Sequence, residues 1–186
     1  RVEMLEEAII VIKKLWNDDF VSFEGKYYRL KKAKLYTKPD KPIKIYVAAG
    51  GHRVAELAGR YADGILLCVG IEQLEQGKNL VQDFEEGAKK ASRDPASLEK
   101  VAEILVSFDE DYEAALEACR FWAGALKYDI NPELFKYDIS DPREIEDEGR
   151  LVSDEAIAKR WIVATTAEEH IERVRRYIKA GFNHLY

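Results

Sequence analysis

The sequence IKIYVAAGG occupies residues 43–51 and directly precedes a helical pattern that runs from Val54 to Tyr61. Residues 43–49 are mostly apolar, β-branched or aromatic, which is typical of a strand buried in a parallel sheet. Gly50 and Gly51 have no Cβ, and a helix that begins after them leaves its first N–H groups unpaired at the positive end of its dipole. The junction predicts a phosphate-binding turn or, as is more common for paired glycines, a plain turn between strand and helix.

Further apolar runs of strand length follow this one, at Ile65–Val69, Val101–Phe108 and Phe182–Tyr186. Helical patterns separate the runs, including one from Glu72 to Ala91 and one from Tyr112 to Ala125. Strands that alternate with helices form βαβ units, in which the strands are parallel. The pattern therefore predicts an α/β fold with four parallel strands, which is half of a (β/α)8 TIM barrel.

Two segments depart from this alternation. An opening helix from Val2 to Trp16 leads to aromatic runs on either side of Glu24-Gly25, which predict a β-hairpin within residues 17–42. Residues 127–152 include two X-Pro steps and predict an irregular excursion. We expect a single α/β domain over residues 1–186, with the hairpin as an insertion.

Helix caps and tryptophans mark the C-terminal part of the chain. Ser153 can cap a helix that runs toward Trp161, and Thr166 with Glu169 has the spacing of a capping box. Trp122 and Trp161 each lie beside apolar neighbours in a helical pattern, which favours a packing role over stacking on a flavin.

Composition excludes several classes of protein. The 186 residues carry a net charge of −6 without a basic block, so we expect no nucleic-acid partner. No run reaches the about 20 apolar residues of a membrane span, and we expect no membrane partner. Cys68 and Cys119 are too few for a disulfide framework or a zinc site, and the acidic run at 144–148 contains no histidine, so we assign no metal. We expect a cytoplasmic location.

The first residue is Arg1, and Met4 already lies inside the opening helix. We expect the chain to be a fragment or a processed product. The early acids and the lack of a cleavable apolar stretch argue against a signal peptide.

Five motifs together resemble the bacterial luciferase-like superfamily, and within it the coenzyme F420-dependent glucose-6-phosphate dehydrogenase family. The motifs are FEGKYY at 23–28, YVAAGG at 46–51, AGRYADG at 58–64, RFWA at 120–123 and IAKRWIVA at 157–164. The resemblance implies a (β/α)8 barrel of the luciferase-like type, of which this chain corresponds to the second half, about strands 5 to 8. It places the first half and the last helix outside this chain.

The resemblance also implies coenzyme F420 as the cofactor. The family's catalytic histidine, tryptophan and glutamate lie in the first half of the barrel, so no catalytic residue is assigned here. Gly50, Gly51, Arg53 and Val54 match positions that hold the cofactor through backbone contacts. The implied reaction is hydride transfer from an alcohol to the deazaflavin.

The family's sugar-phosphate pocket is matched in part. Lys136 and Arg160 occupy positions of two phosphate-binding cations, whereas Cys68 replaces a threonine and Ile71 replaces a lysine. Losing one charge-assisted contact costs about 1.5 to 3 kcal/mol, which argues against glucose 6-phosphate itself. Cys68, Lys136 and Arg160 remain the substrate-binding candidates for an alcohol or sugar-phosphate type substrate. Without the resemblance, each cation would more commonly lie on a solvated surface, and with it the two interpretations are evenly balanced.

Two other hypotheses remain open at this point. One keeps the fold but uses FMN, as in a luciferase-like monooxygenase, or acts as a methylene-tetrahydromethanopterin reductase. The other treats the chain as a non-catalytic half barrel. Exposed strand edges predict a homodimer or association with the first half of the barrel.

Overall fold

The structure is a computed structural model that describes residues 1–125 and 141–186. These residues form two compact units. The first contains Arg1–Leu67, Gln76–Ala102 and Gly181–Leu185, and the second contains Cys68–Glu75, Glu103–Ala180 and Tyr186. None of the described helices is long and apolar enough to cross a membrane.

The first unit opens with helix α1 (Val2–Asn17) and a hairpin of strands β1 (Val21–Glu24) and β2 (Arg29–Ala33), which pair antiparallel. The carboxylate of Glu7 on α1 accepts hydrogen bonds from the N–H groups of Lys26 and Tyr27, at 2.8 and 2.9 Å. These bonds tie the hairpin turn to the helix. The opening helix and the hairpin are thus both confirmed.

A four-stranded sheet follows in the order β3-β4-β5-β8. Its strands are β3 (Tyr46–Ala48), β4 (Gly64–Cys68), β5 (Glu99–Glu103) and β8 (His184–Leu185). β3 pairs with β4, and β5 with β8, in parallel. The four predicted apolar runs therefore each supply a strand to one sheet.

Helices α2 (His52–Tyr61) and α3 (Leu74–Lys90) lie against each other through glycines. A Cβ placed on Gly59 of α2 would lie 1.9 Å from the carbonyl oxygen of Phe84, so only glycine allows this approach. The predicted helix from Glu72 begins instead with a 3₁₀ turn at Ile71–Gln73.

The second unit contains a two-stranded parallel sheet of β6 (Val106–Phe108) and β7 (Ile162–Ala164). The single strand predicted at Val101–Phe108 is therefore wrong. The backbone changes partners between the two pieces, because Ile104 N–H donates to the carbonyl of Tyr186 and Leu105 accepts from Ile162 N–H, at 2.9 and 2.8 Å. β7 was not predicted as a strand.

The second unit also contains five helices among the described residues. They are α4 (Tyr112–Glu117), α5 (Arg120–Ala123), α6 (Pro142–Arg150), α7 (Asp154–Arg160) and α8 (Ala167–Lys179). The continuous helix predicted from Tyr112 to Ala125 is thus observed as α4 and α5. Ile157, Trp161 and Val163 are buried in the unit's core with residues of α4 and α5.

The predicted caps are present, with one difference. The Ser153 hydroxyl accepts from Ala156 N–H at 3.3 Å and begins α7. The Thr166 hydroxyl accepts from Glu169 N–H at 3.2 Å. The Glu169 carboxylate, however, reaches back to Thr165 N–H rather than to Thr166. Both helices nevertheless start where the sequence predicts.

Candidate functional site

The junction between β3 and α2 leaves open space over its glycines. Gly51 is the N-cap of α2 in an extended conformation, and its carbonyl accepts from the N–H groups of Val54 and Ala55, each at 3.1 Å. A Cβ built on Gly50 or on Gly51 would meet no atom of residues 1–125 or 141–186 within 4 Å. Neighbouring packing therefore does not require glycine here, and the backbone surface is accessible to a ligand.

The N–H groups of this turn are available as donors. Ala49 N–H is the last to join the sheet, donating to the carbonyl of Leu66 at 3.2 Å. Within residues 1–125 and 141–186, no group accepts a hydrogen bond from the N–H of Gly50, Gly51, His52 or Arg53. Such a row of donors at a helix N-terminus suits an anionic or strongly polar ligand group.

The side chains of the turn point to other partners. The His52 ring Nδ1 contacts the carboxylate of Asp83 on α3. Arg53 is exposed and lines a shallow pocket together with Glu3 and Glu6 of α1. Val54 is half-buried. A ligand at this junction would therefore be held by backbone, which is the role predicted for Arg53 and Val54.

A second set of candidates meets in the second unit. Nη2 of Arg160, at the end of α7, lies 3.1 Å from Sγ of Cys68, and Nη1 lies 2.7 Å from Oε1 of Gln73. A Cβ on Gly70 would lie 3.0 Å from Cδ of Arg160, so the turn after Cys68 passes tightly beside the arginine stem. Cys68 and Arg160 are thus brought together, although 92 positions separate them.

Helix α8 anchors the same turn. The buried hydroxyl of Tyr177 donates to the carbonyl of Val69 at 2.9 Å, and burial raises the pKa of Tyr177 to about 12. Nη2 of Arg176 donates to the carbonyl of Ile71 at 3.3 Å. The Ile71 side chain is only 3% exposed. Ile71 therefore serves packing, and only its backbone carbonyl makes a polar contact with α8.

A cavity of about 220 Å³ opens beside Cys68 and Arg160. The other residues that line it are Glu103, Leu105, Trp122, Ala125 and Trp161. Trp161 is buried, in agreement with the packing role predicted for it, whereas Trp122 is 57% exposed. Trp122 lies in the single turn of α5 and lines the cavity.

No sequence motif marks Glu103 or Leu105 as a site residue. Both lie within the apolar run predicted as a single strand, and the strand pairing changes between them, at Ile104. A break in strand pairing leaves no residue signature in a continuous apolar run. Lys136, the remaining candidate, lies outside the described residues.

In the part of the chain that the structure describes, no group of three or more His, Cys, Asp or Glu side chains could hold a metal ion. The acidic run at 144–148 lies on α6.

Comparison with known proteins defines the class. The sequence profile of the family described as luciferase-like monooxygenase matches residues 1–184. The chain belongs to this family. The predicted fold class is thereby confirmed as the α/β barrel of the luciferase-like type, of which this chain forms about half.

The similar curated proteins have more specific names than the family. F420-dependent glucose-6-phosphate dehydrogenase 1 of Rhodococcus jostii is 42% identical over 100% of this chain and 54% of its own length. The F420-dependent glucose-6-phosphate dehydrogenase of Mycobacterium tuberculosis (strain H37Rv) is 40% identical with the same coverage. The chain thus spans about half the length of the curated relatives it matches.

Solved structures show the same relationship. An F420-dependent secondary alcohol dehydrogenase in complex with an F420-acetone adduct has 40% identity and a TM-score of 0.82, covering 99% of this chain and 55% of that one. The F420-dependent tetrahydromethanopterin reductase from Methanopyrus kandleri has a TM-score of 0.77 with 22% identity, covering 99% of this chain and 56% of that one. At that identity, the likeness to the reductase concerns the fold alone.

Proposed function

We propose that this chain forms strands 5 to 8 of the barrel of an F420-dependent oxidoreductase that oxidises an alcohol. The relatives at 40–42% identity are named as F420-dependent dehydrogenases of glucose 6-phosphate or of a secondary alcohol. The observation that carries the proposal is the open β3–α2 junction, where the backbone N–H groups of Gly50, Gly51, His52 and Arg53 have no acceptor among the residues that the structure describes.

The residues at this junction fit the cofactor. F420, when bound, supplies a deazaflavin ring that accepts a hydride from the alcohol carbon. The chain's part is to donate backbone hydrogen bonds from the start of α2 to a polar or anionic group of the cofactor, while Gly50 and Gly51 let that group approach the backbone. No side chain is needed for this contact, so the exposed Arg53 is compatible with it.

The substrate would be held by the second unit. Cys68 and Arg160 border the cavity, and Lys136 remains a third candidate. The group that removes the hydroxyl proton would come from the first half of the barrel, as the resemblance implies. We therefore expect no alcohol oxidation by this chain alone.

The remaining features of the whole protein are also proposals. They comprise a cytoplasmic location, a homodimer or association with the first half of the barrel, and one domain over residues 1–186 with an insertion at 17–42 and an excursion at 127–152.

A cofactor titration tests the proposal. Purified chain is titrated with F420 and, as the matched control, with FMN, and binding is followed by the fluorescence of each cofactor. We expect F420 to bind at least about tenfold more tightly than FMN. Tighter binding of FMN, or no binding of F420, would contradict the proposal. The first half of a relative's barrel, expressed separately and mixed with the chain, is expected to restore alcohol-dependent loss of F420 absorbance.

A further inference from the structure

The turn proposed to bind the cofactor, residues 50–53, has an anchor on its strand side and another on its helix side. On the strand side, Ala49 N–H donates to the carbonyl of Leu66 at 3.2 Å, which fixes the end of β3. On the helix side, Nδ1 of His52 contacts the carboxylate of Asp83 on α3. The four backbone N–H groups of the turn, which have no acceptor among the described residues, lie between or beside these anchors.

The glycines of the turn contribute little rigidity of their own. Glycine has more backbone conformations than any other residue, so fixing Gly50 and Gly51 costs more entropy than fixing residues with a Cβ. A Cβ on either would meet none of the described atoms within 4 Å, so packing from that direction does not hold the turn. Donors that already point toward a ligand bind it more tightly than donors that become ordered on binding. The helix-side anchor therefore bears on cofactor affinity.

Helix α3 gives this anchor a firm support. A Cβ on Gly87 of α3 would lie 2.0 Å from the carbonyl oxygen of Glu56 on α2, so the two helices touch through their backbones. Asp83 directly precedes Phe84, whose side chain is fully buried. The Asp83 side chain is 28% exposed, against 76% for His52. Asp83 is thus the fixed partner, and the imidazole is the group that it holds.

The His52 ring connects this support to the first turn of α2. His52 is the first residue of α2, and a helical side chain leans toward the N-terminus of its own helix. An ionised carboxylate can only accept hydrogen bonds, so Nδ1 carries the hydrogen and donates it to Asp83. Such charge-assisted bonds are stronger than bonds between neutral groups. The bond therefore restrains the backbone at residue 52, whose N–H is one of the four donors.

From these contacts we infer that Asp83 is a positioning residue for the cofactor. Acting through His52, it holds the start of α2 so that the backbone donors of residues 50–53 face the polar or anionic group of F420. Neither side chain has to touch the cofactor for this. The inference rests on the proposed F420-dependent oxidoreductase and adds to it two side chains that support the row of backbone donors.

The test uses the full-length protein that carries this chain and measures the Kd for F420 by fluorescence titration. His52→Ala and Asp83→Ala are each expected to raise the Kd about fivefold, which is the effect of losing one hydrogen bond. The double variant is expected to raise it no further, because Asp83 acts only through His52. His52→Asn keeps an N–H donor for Asp83 and is expected to bring the Kd back to within about twofold of the wild type.

Lys90→Ala is the matched control. Nζ of Lys90 on α3 lies 3.1 Å from Oε1 of Glu56 on α2, and the two side chains are 53% and 33% exposed. This contact joins the same two helices as the His52–Asp83 contact, but it does not involve the turn. We expect Lys90→Ala and Asp83→Ala to shift the urea midpoint of unfolding by similar, small amounts. Only Asp83→Ala is expected to raise the Kd for F420.

The outcomes separate the inference from the proposed function. If the wild type binds F420 but the Kd is unchanged in His52→Ala, or if the effects of the two single variants add in the double variant, the inference fails and the proposed function stands. The same holds if Lys90→Ala raises the Kd as much as Asp83→Ala.

A Kd in His52→Asn as high as in His52→Ala would also overturn the inference, because the imidazole itself would then contact the cofactor. If the wild type does not bind F420, the proposed function fails and the inference fails with it.

Discussion

Arg160 donates a hydrogen bond from Nη2 to Sγ of Cys68, with 3.1 Å between the two atoms. Its other terminal nitrogen, Nη1, donates to Gln73 at 2.7 Å. One planar guanidinium therefore holds both the end of β4 and the 3₁₀ turn that follows it. A lysine could not make both contacts in this geometry, because its single ammonium group lacks the rigid fork of arginine.

Replacing Arg160 should consequently destabilise the second unit even when the charge is kept. Arg160→Lys is expected to lower the free energy of unfolding by about 1 kcal/mol, since it loses at least one of the two hydrogen bonds. Urea unfolding followed by circular dichroism would measure this.

Arg150→Lys is the matched control for that substitution. Arg150 pairs with Asp147 at 3.0 Å, but both side chains are more than 70% exposed, at 73% and 72%. Water screens such a pair, so we expect a change within about 0.5 kcal/mol. If the free energy of unfolding decreased equally in Arg160→Lys and Arg150→Lys, the contacts of Arg160 with Cys68 and Gln73 would add no specific stability.

Local sequence signals predicted the elements that depend on local interactions. Ser153 caps α7 because its hydroxyl reaches an N–H within the next turn, and the apolar runs became strands of one sheet. β7 was missed, since three residues between two helices carry no strand period of their own. Its pairing with β6 is a contact between distant segments, which a single sequence does not report.

The candidate site likewise has one part that local sequence predicts and one part that it does not. The β3–α2 junction could be predicted because strand, glycines and helix are consecutive in the sequence. The cavity could not, because Glu103, Trp122 and Arg160 come from separate elements and meet only after folding. The family resemblance supplied Cys68 and Arg160, but the residues that set the charge and shape of the cavity became visible only in the structure.

Close packing of α5 on α6 provides a second prediction. A Cβ on Gly124 would lie 2.0 Å from the carbonyl oxygen of Ile145, and one on Gly149 would lie 2.2 Å from that of Arg120. We expect Gly124→Ala and Gly149→Ala each to destabilise the protein by about 1–3 kcal/mol through overpacking. Urea unfolding measures both.

The sign of the change in unfolding free energy distinguishes overpacking from the usual effect of replacing a helical glycine by alanine. Without the close approach, alanine in a helix would stabilise by up to about 1 kcal/mol relative to glycine, because it has less backbone entropy to lose. Stabilisation by Gly149→Ala would therefore contradict the observed packing. Gly50→Ala serves as the control, because its Cβ would meet none of the described atoms within 4 Å.

Gly50→Ala also tests the proposed cofactor contact. The open space over Gly50 means that folding should tolerate the methyl group, with a change in unfolding free energy within about 0.5 kcal/mol. The same methyl group would occupy space that the cofactor needs, so we expect the Kd for F420 to rise about tenfold or more. Fluorescence titration gives the Kd. An unchanged Kd in a normally folded variant would mean that F420 does not approach this backbone.

Glu99, the first residue of β5, supports a prediction about acid stability. Its carboxylate accepts hydrogen bonds from Nζ of Lys44 and, at 2.8 Å, from the Tyr46 hydroxyl. It also contacts Nδ1 of His184 at 2.9 Å. The Lys44 ammonium, followed by His184 and Tyr46, lowers the pKa of Glu99 from 4.5 to about 2. The ionised carboxylate is therefore more favourable in the folded protein than in the unfolded chain.

Because the folded-state pKa is the lower one, Glu99 stabilises the protein above pH 4.5, and this contribution is lost as the pH falls toward about 2. Lys44 and His184 are 61% and 50% exposed, so water weakens the effect to about 1–2 kcal/mol. The side chain in Glu99→Gln cannot ionise. This variant should therefore lose less stability than the wild type as the pH falls from 4.5 toward about 2. Urea midpoints at a series of pH values measure the difference, and Glu110→Gln is expected to follow the wild type. If the urea midpoint of Glu99→Gln fell with pH as much as that of the wild type, the contacts of Glu99 would not contribute to the loss of stability in acid.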